Sequence, residues 1–412
     1  MLDRKFSMTL VAAGLALASI APLPLAAQEP IRIGFLTIKS GALAAGGRQM
    51  EEGLALFLKE RNNTLAGRKV ALFTADTAGQ PAVTRTKAQE LVERDKVQVI
   101  IGPLAAFEAL AIDDYIRQAK VPIISPSAAA EDLTQRKAHP WFVRAVGTSA
   151  PPLHPLGEYA AKTLGYKRIV TVGDDFAFGH EGIAGFQRAF EDNGGKIVQK
   201  LWSPLNVADY GTYISQINAR ADAVFIAFAG ANGPRFLKQY GDYGVKLPIL
   251  GSMTAVDEGV LKNMGDEALG VVSTGWYAAA IDSPANKAFV QAINRDYKAD
   301  PGYYTVGAYG AGLMLEQALL AVNGRIEDKD AFMKALRGAV VANDPRGTIK
   351  LDEYGNPVMN AYIRKVERKD GKLVNTVIKT YPGVSQFWTY DPRQFLASPV
   401  YTRDYPPAKN LE

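Results

Sequence analysis

Residues 97–126 read VQVIIGPLAAFEALAIDDYIRQAKVPIISP and contain a strand, a helix and a second strand in sequence. The apolar runs 97–101 and 121–124 predict two buried strands, and the stretch 105–120 between them has helical periodicity. Gly102 and Pro103 separate the first strand from the helix. A strand, a helix and a strand in this order predict a right-handed crossover between two parallel strands.

The same alternation continues along most of the chain. Strands are predicted at residues 31–36, 70–74, 97–101 and 121–124, and then at 168–172, 196–201, 223–228, 247–250 and 271–274. Helices are predicted at residues 50–61, 81–94, 105–120, 180–193 and 210–221. The pattern pauses at residues 148–152 and then restarts. It therefore predicts an α/β fold with two lobes, each a parallel sheet with helices on both faces.

The amino-acid composition already argues against several classes of function. The chain has 412 residues, of which 48% are hydrophobic and 22% charged, as in an ordinary globular protein. Lys and Arg number 47 against 42 Asp and Glu, and the absence of a basic run argues against nucleic-acid binding. The lack of cysteine excludes disulfides, thiolate metal sites and cysteine nucleophiles, and 3 histidines leave little for zinc or a Ser–His triad. We expect no enzyme activity, no cofactor and no metal.

Residues 1–27 are typical of a secretory signal peptide. A positive start at Arg4 and Lys5 precedes the uncharged residues 8–20, and small residues end at Ala27. The uncharged stretch is too short for a membrane anchor, which needs about 20 residues. We expect cleavage near Ala27 and a periplasmic protein.

Small residues dominate the loops that follow the predicted strands. These loops are residues 40–47, 102–107 and 125–130 in the first lobe, and 173–179, 229–234 and 251–254 in the second. In doubly wound sheets the ligand binds at the carboxyl ends of the strands. Each loop opens a helix, so free backbone N–H groups point into the crevice. Two such lobes facing each other predict a ligand cleft.

Several short motifs occur in a characteristic order. The most specific are IGPL at 101–104, PIISP at 122–126, DDFAFG at 174–179 and DSPANKAF at 282–289, with DEYGN at 352–356. Together they resemble the periplasmic ligand-binding proteins of ATP-driven importers, in the branched-chain amino-acid (Leu/Ile/Val-binding) family. The resemblance covers nearly all of the chain after residue 27.

The resemblance implies two Rossmann-like lobes joined by three hinge crossings, which close on a ligand by hinge bending. The crossings fall near Gly147, near residues 274–277 and near residues 358–362. The implied lobes are residues 28–147 plus 276–358 for lobe 1, and 148–275 plus 359–412 for lobe 2. The resemblance also implies a membrane permease as partner, and we expect a monomer.

The departures from the family pattern bear on the ligand. Amino-acid binders of this family hold the ligand ammonium with an acidic residue, but Met253 stands in that loop here. The loop 104–107 has no hydroxyl, and Ala129 stands where a Thr is usual. A buried ammonium without a counter-charge costs several kcal/mol, so amino-acid recognition is disfavoured.

A small aromatic carboxylate fits the remaining groups better. Its anion would be held by amides at residues 127–129, and its ring would lie against Phe107, Phe178 and Met253. The tail from residue 383 resembles a subgroup associated with benzoate- and cinnamate-type acids. The ligand is therefore predicted to be a benzoate, cinnamate or aryl-keto acid.

Thirteen residues are predicted to bind the ligand. They are Gly46, Leu104, Ala105, Ala106, Phe107, Ser127, Ala128, Ala129, Phe178, Asn232, Met253, Trp276 and Tyr304. Two of them have alternative roles, since Phe107 either lines the cleft or packs internally and Asn232 either binds or shapes its turn. Arg144 either balances the ligand carboxylate or pairs with an acid of its own lobe.

The sequence disfavours several alternatives to a protein that binds aromatic acids. A hydrolase would need a Gly-x-Ser-x-Gly elbow or a matched base and acid, and a nucleotide enzyme would need a phosphate-binding glycine motif; the sequence has neither. A sugar-responsive regulator would carry a helix-turn-helix where this chain has its export signal. A branched-chain amino-acid or amide binder and a stand-alone ligand sensor stay open as alternatives.

Overall fold

Six strands near the start of the chain form one sheet. The computed structural model describes Met1 and residues 29–412, so the predicted signal peptide lies outside the described residues apart from Met1. The elements are β1 (Ile31–Thr37), α1 (Ala44–Glu60), β2 (Thr64–Leu65), β3 (Arg68–Asp76), α2 (Pro81–Gln89), β4 (Val99–Ile101), α3 (Ala106–Ala119), β5 (Ile123–Ser125) and β6 (Phe142–Arg144). Their order is β2-β3-β1-β4-β5-β6, parallel except for the β2–β3 hairpin. Every residue of β4 and β5 is buried, as expected for strands covered on both faces.

The next part of the chain builds a second parallel sheet. Its elements are α4 (Leu153–Lys162), β7 (Arg168–Asp174), α5 (Ala177–Asp192), β8 (Lys196–Ser203), α6 (Gly211–Ile214), β9 (Ala223–Ala227), α7 (Asn232–Asp242), β10 (Ile249–Gly251), α8 (Glu258–Leu261) and β11 (Val272–Gly275). The parallel strands follow the order β8-β7-β9-β10-β11. The carboxyl ends of both sheets thus carry the loops that open helices.

The last part of the chain extends the second sheet with antiparallel strands. The elements are α9 (Pro284–Tyr297), α10 (Tyr303–Ala321), α11 (Lys329–Arg337), β12 (Val340–Asp344), β13 (Gly347–Leu351), β14 (Pro357–Lys369), β15 (Lys372–Val384) and α12 (Pro392–Ala397). Strand β14 pairs with β13 at its start and with β11 further along. Helix α10 is buried over most of its surface and packs against α1, which places its first turn beside the first sheet.

The two-lobed α/β fold with parallel sheets is confirmed, and the lobe boundaries stay a prediction. One predicted helix is wrong, because residues 210–221 contain only the single turn α6. The chain leaves that turn when the backbone N–H of Asn218 bonds to the side chain of Gln199 on β8, at 2.9 Å. Gly211 and Asn218 are also weak helix formers.

Candidate functional site

A cavity lies between the two sheets, where the loops after their parallel strands converge. Its walls come from the ends of β1, β4, β5 and β6 on the first-sheet side, and of β7, β9, β10 and β11 on the second-sheet side. The first turn of α10 completes the wall. The cavity contains about 560 Å³ of space between protein atoms, its mouth included.

Eight of the thirteen predicted binding residues line this cavity. They are Leu104, Ala105, Ala106, Ser127, Ala129, Phe178, Met253 and Tyr304. These residues come from four strand-end loops and the first turn of α10. The cavity therefore forms where the rule of carboxyl strand ends places it.

Two predicted residues lie behind the aromatic wall instead of on it. The ring of Phe107 packs edge-to-face on Phe176 with centroids 5.5 Å apart, so Phe176 lines the cavity in its place. Gly46 lies behind Tyr304, and a Cβ added to it would stand 3.0 Å from that ring. Gly46 therefore contacts the Tyr304 ring and does not itself line the cavity.

Three further predicted residues serve the protein's own framework. The side-chain amide of Asn232 donates to Asp174 at 2.7 Å and to the carbonyl of Leu205 at 2.9 Å. The indole N–H of Trp276 donates to the carbonyl of Thr148 at 3.1 Å, and the ring is fully buried. Ala128 is also fully buried. None of these three lines the cavity.

Arg144 organises the loop that carries Ser127 and Ala129. Its guanidinium donates to the carbonyls of Ala128 and Ala130 and to Thr134 Oγ1, the last at 2.8 Å. In a trans peptide the N–H points opposite to the C=O, so the N–H of Ala129 points away from Arg144. Among the described residues Arg144 forms no ion pair with an acid, and its expected role of balancing the ligand carboxylate stays a prediction.

The positive charge of Arg144 therefore lies behind the loop that lines the cavity at Ala129. Burial lowers the pKa of Arg144 to about 10, and the nearby carboxyl groups of Glu181 and Glu131 oppose that effect. Around neutral pH the guanidinium stays protonated. Its field adds to that of the backbone N–H groups at the start of α3, which also border the cavity at Ala106.

Hydroxyl groups line the second-sheet side and the hinge. Most are engaged with the wall: Thr254 donates to the carbonyl of Phe228 at 2.7 Å, and Thr274 donates to that of Pro152 at 2.9 Å. The hydroxyl of Ser149 has no hydrogen-bond partner among the residues that the structure describes.

Within residues 29–412, no acidic or basic side chain lines the cavity. Three buried carboxyl groups accept backbone N–H groups of lining residues. Glu108 accepts the N–H of Ala105 at 2.9 Å. Asp174 accepts the backbone N–H of Ala229 at 2.9 Å, and burial raises its pKa to about 7. Asp257 accepts the N–H groups of Tyr303 and Gly259, at 2.7 and 3.0 Å.

Direct hydrogen bonds join the two sides of the cavity. The backbone N–H of Ala231, after β9, donates to the carbonyl of Ala42, after β1, at 3.0 Å. The backbone N–H of Glu131, after β5, donates to both carboxyl oxygens of Glu181 on α5, each at 3.2 Å. The two sides therefore meet in a closed arrangement.

Eleven lining residues were not predicted. They are Leu43, Thr148, Ser149, Pro152, Leu153, Phe176, Ala229, Ser252, Thr254, Thr274 and Tyr303. Several lay within reach of the sequence argument, because Phe176 belongs to the DDFAFG motif and Tyr303 precedes Tyr304. The cluster at 148–153 lies just past the predicted crossing, where no strand end drew attention to it.

The part of the chain from residue 29 to 412 contains neither a cluster of metal-binding side chains nor a membrane-spanning helix. Across residues 29–412, no three His, Cys, Asp or Glu side chains are grouped to hold a metal ion. Over the same stretch, no helix combines the length and apolar character that crossing a bilayer requires.

Comparison with known proteins gives three consistent matches. The model of a family described as "Periplasmic binding protein" matches residues 30–372. Leu/Ile/Val-binding protein homolog 6 of Brucella melitensis biotype 1 is 28% identical over 381 residues, covering 89% of this chain and 96% of its own. An ABC transporter substrate-binding protein from Sphaerobacter thermophilus is 35% identical, with a TM-score of 0.81 over 86% of this chain and 99% of its own.

A further solved structure carries a ligand. It is a solute-binding protein of an ABC transporter from Rhodopseudomonas palustris BisB5, in complex with 3,4-dihydroxy benzoic acid. It is 34% identical to this chain, with a TM-score of 0.83, and the match covers 86% of this chain and 98% of that one.

Proposed function

Since the chain belongs to the periplasmic binding protein family, we propose that it captures a small aromatic carboxylate for an ABC importer. The ligand is of the benzoate, cinnamate or aryl-keto acid type, and a membrane permease receives it. One observation carries this proposal: the described cavity wall offers amides, hydroxyls and aromatic rings but no carboxyl group.

The anionic end of the ligand would lie against the first-sheet side. There the N–H of Ala129 points away from Arg144, and α3 begins at Ala106. The N–H of Ala105 before it already donates to Glu108 Oε2 at 2.9 Å, which leaves the other N–H groups of the first turn. Backbone N–H groups at a helix start bind carboxylates well, because the helix dipole favours negative charge. The charge of Arg144 would favour an anion at this end. Because Arg144 is already fully buried, no water has to leave it when the ligand binds.

The ring of the ligand would lie against the apolar wall. Phe176 and Phe178 stand 5.8 Å apart at a tilt of 30°, and Tyr304 lies against Tyr303 with centroids 5.0 Å apart. Met253 adds a flexible, polarisable surface that suits an aromatic edge. Such rings favour offset or edge-to-face contacts with an aromatic ligand.

The relatives differ in what their names say they bind. The Brucella relative is named for Leu, Ile and Val, while the more similar Rhodopseudomonas structure holds a dihydroxybenzoic acid. An amino acid would bring an ammonium group, and neither Asp174 nor Asp257 reaches the cavity wall to pair with it. Burying that charge unpaired opposes amino-acid binding.

Isothermal titration calorimetry with two matched ligand pairs tests this proposal. Benzoate and 4-hydroxybenzoate are compared with benzamide, and leucine is compared with leucinamide. We expect the aromatic acids to bind and benzamide to bind at least tenfold more weakly, because hydrogen bonds to a charged acceptor contribute about 1.5–3 kcal/mol. Tight binding of leucine with no binding of the aromatic acids would refute the aromatic ligand class.

A substitution in the wall sharpens the test. Met253→Glu places a carboxyl group where the family's amino-acid binders carry one, and it should weaken benzoate binding by about tenfold or more through like-charge repulsion. Met253→Gln has a similar shape and no charge, and it serves as the matched control. Equal losses in both variants would mean that Met253 acts only by packing.

A further inference from the structure

Ser149 is a cavity-lining residue whose buried hydroxyl is unpaired within the described part of the chain. Its side chain is 6% exposed, it lines the cavity, and its Oγ has no hydrogen-bond partner among the described residues. The hydroxyls of Ser127, Thr254 and Thr274 donate to backbone carbonyls at 2.7–2.9 Å. A buried hydroxyl without a partner is unfavourable, so its retention calls for a partner that the protein does not supply.

The neighbours of Ser149 fix where that partner lies. Thr148 donates its hydroxyl to Glu131 Oε1 at 3.2 Å, and the backbone N–H of Ala150 donates to the same oxygen at 2.9 Å. Glu131 directly follows the loop that carries Ala129. Ser149 therefore lies between two residues that are both hydrogen-bonded to Glu131, two positions after Ala129 in the chain.

From this placement we infer that Ser149 donates a hydrogen bond to the carboxylate of the ligand. This assignment rests on the proposed function, since it takes the ligand to be an anion held at the amide-lined end. The carboxylate would then accept hydrogen bonds from two separate segments. The amides come from the loop after β5, and the Ser149 hydroxyl comes from the segment that leads into α4. The carboxylate then bridges the segments on either side of the hinge.

The test uses Ser149→Ala in the full protein and the same two ligand pairs. We expect benzoate to bind about tenfold more weakly or worse, as for loss of a hydrogen bond to a charged group, and benzamide to change far less. Ser149→Thr keeps the hydroxyl and should restore most of the preference for acid over amide. Because Ser149 bonds to no described residue, the melting temperature of the alanine variant should not fall.

Ser203→Ala is the matched control. Ser203 is fully buried and lies outside the cavity. Its loss should leave both affinities unchanged. The assignment is overturned if Ser149→Ala leaves the acid-to-amide ratio at the wild-type value.

The second ligand pair separates this assignment from the ligand class. If the wild type binds leucine and not benzoate, the proposed aromatic ligand is wrong, and the ratio of leucine to leucinamide binding still reports on Ser149. A collapse of that ratio in Ser149→Ala would support the carboxylate contact, whereas an unchanged ratio would refute it. If the wild type binds none of the five compounds, the benzoate-type ligand and the Ser149 assignment both fail.

Discussion

Glu131 and Glu181 face each other across the two sides of the cavity, and both are buried. The Glu131 side chain accepts the hydroxyl of Thr148 and the N–H of Ala150, and Glu181 accepts the N–H of Glu131. Burial raises the pKa of Glu131 from an ordinary 4.5 to about 7, and nearby Arg144 only partly opposes this. Burial and the charge of Glu131 also raise the pKa of Glu181.

The direction of the pH effect follows from these raised values. Below about pH 4.5 Glu131 is protonated in both the folded and the unfolded chain, so it contributes no difference. Between about 4.5 and 7 only the folded chain keeps the proton, and the free energy of unfolding falls as the pH rises. Above about 7 both states are ionised and the loss is complete. One pKa unit corresponds to 1.36 kcal/mol, so the loss is on the order of 3 kcal/mol.

The perturbation is Glu131→Gln, which keeps an acceptor for Ala150 and does not ionise. We expect the wild type to lose about 3 kcal/mol relative to this variant between pH 4.5 and pH 8. Urea unfolding at half-unit pH steps measures the difference directly. Glu353→Gln removes an exposed carboxyl group and should follow the wild type at every pH.

The same proton bears on ligand binding. If the two sides part when the ligand leaves, Glu131 and Glu181 regain water and their ordinary acidity, so closure takes up protons. Affinity should then rise as the pH falls from about 7, and less so in Glu131→Gln. Unfolding curves of the variant that run parallel to the wild type from pH 4.5 to 8 would refute the reasoning.

Two glycine substitutions give further predictions. A Cβ at Gly147 would overlap the ring of Trp276, so Gly147→Ala should lower the free energy of unfolding by about 1–3 kcal/mol in urea titrations. Gly241→Ala, in a helix with room for a Cβ, is its control, and equal stability of the two variants would contradict the clash. Gly46→Leu should push the Tyr304 ring toward the cavity and weaken benzoate binding by about tenfold or more in calorimetry; unchanged affinity would show that this ring does not shape the site.

The parallel part of the fold could be predicted because its strands are buried on both faces. The run 223–228 is continuously apolar and the run 97–101 is interrupted only by Gln98, which distinguishes both from loops without any knowledge of neighbours. Strands β12, β13 and β15 are largely exposed or half-buried and pair antiparallel, so their sequences carry no such run. The residues 210–221 look helical in isolation, but contact with Gln199 ends the helix after one turn.

The sequence predicts which loops reach the cavity, but it does not predict which side chains of those loops line it. Leu104, Ala129 and Met253 were found because strand ends fix the loops that reach the cavity. Which of Phe107 and Phe176 faces the ligand depends on how α3 and α5 meet, and that contact joins segments far apart in the chain. Ser149 carries no local motif, and only the finished fold shows that its hydroxyl lacks a partner.

Arg144 shows most clearly why the chemistry of the wall could not be inferred from residue types alone. A lining arginine would have to be stripped of water whenever the cavity closed, and that desolvation would oppose binding. Here the fully buried guanidinium already donates hydrogen bonds to the carbonyls of Ala128 and Ala130 and to Thr134 Oγ1. For the anion of the proposed function, this charge would act through the peptide unit whose carbonyl it holds, since the N–H of Ala129 points away from the guanidinium. On the proposed function, an uncharged wall can therefore favour a carboxylate over the matching amide, because the positive charge was desolvated when the protein folded and not when the ligand enters.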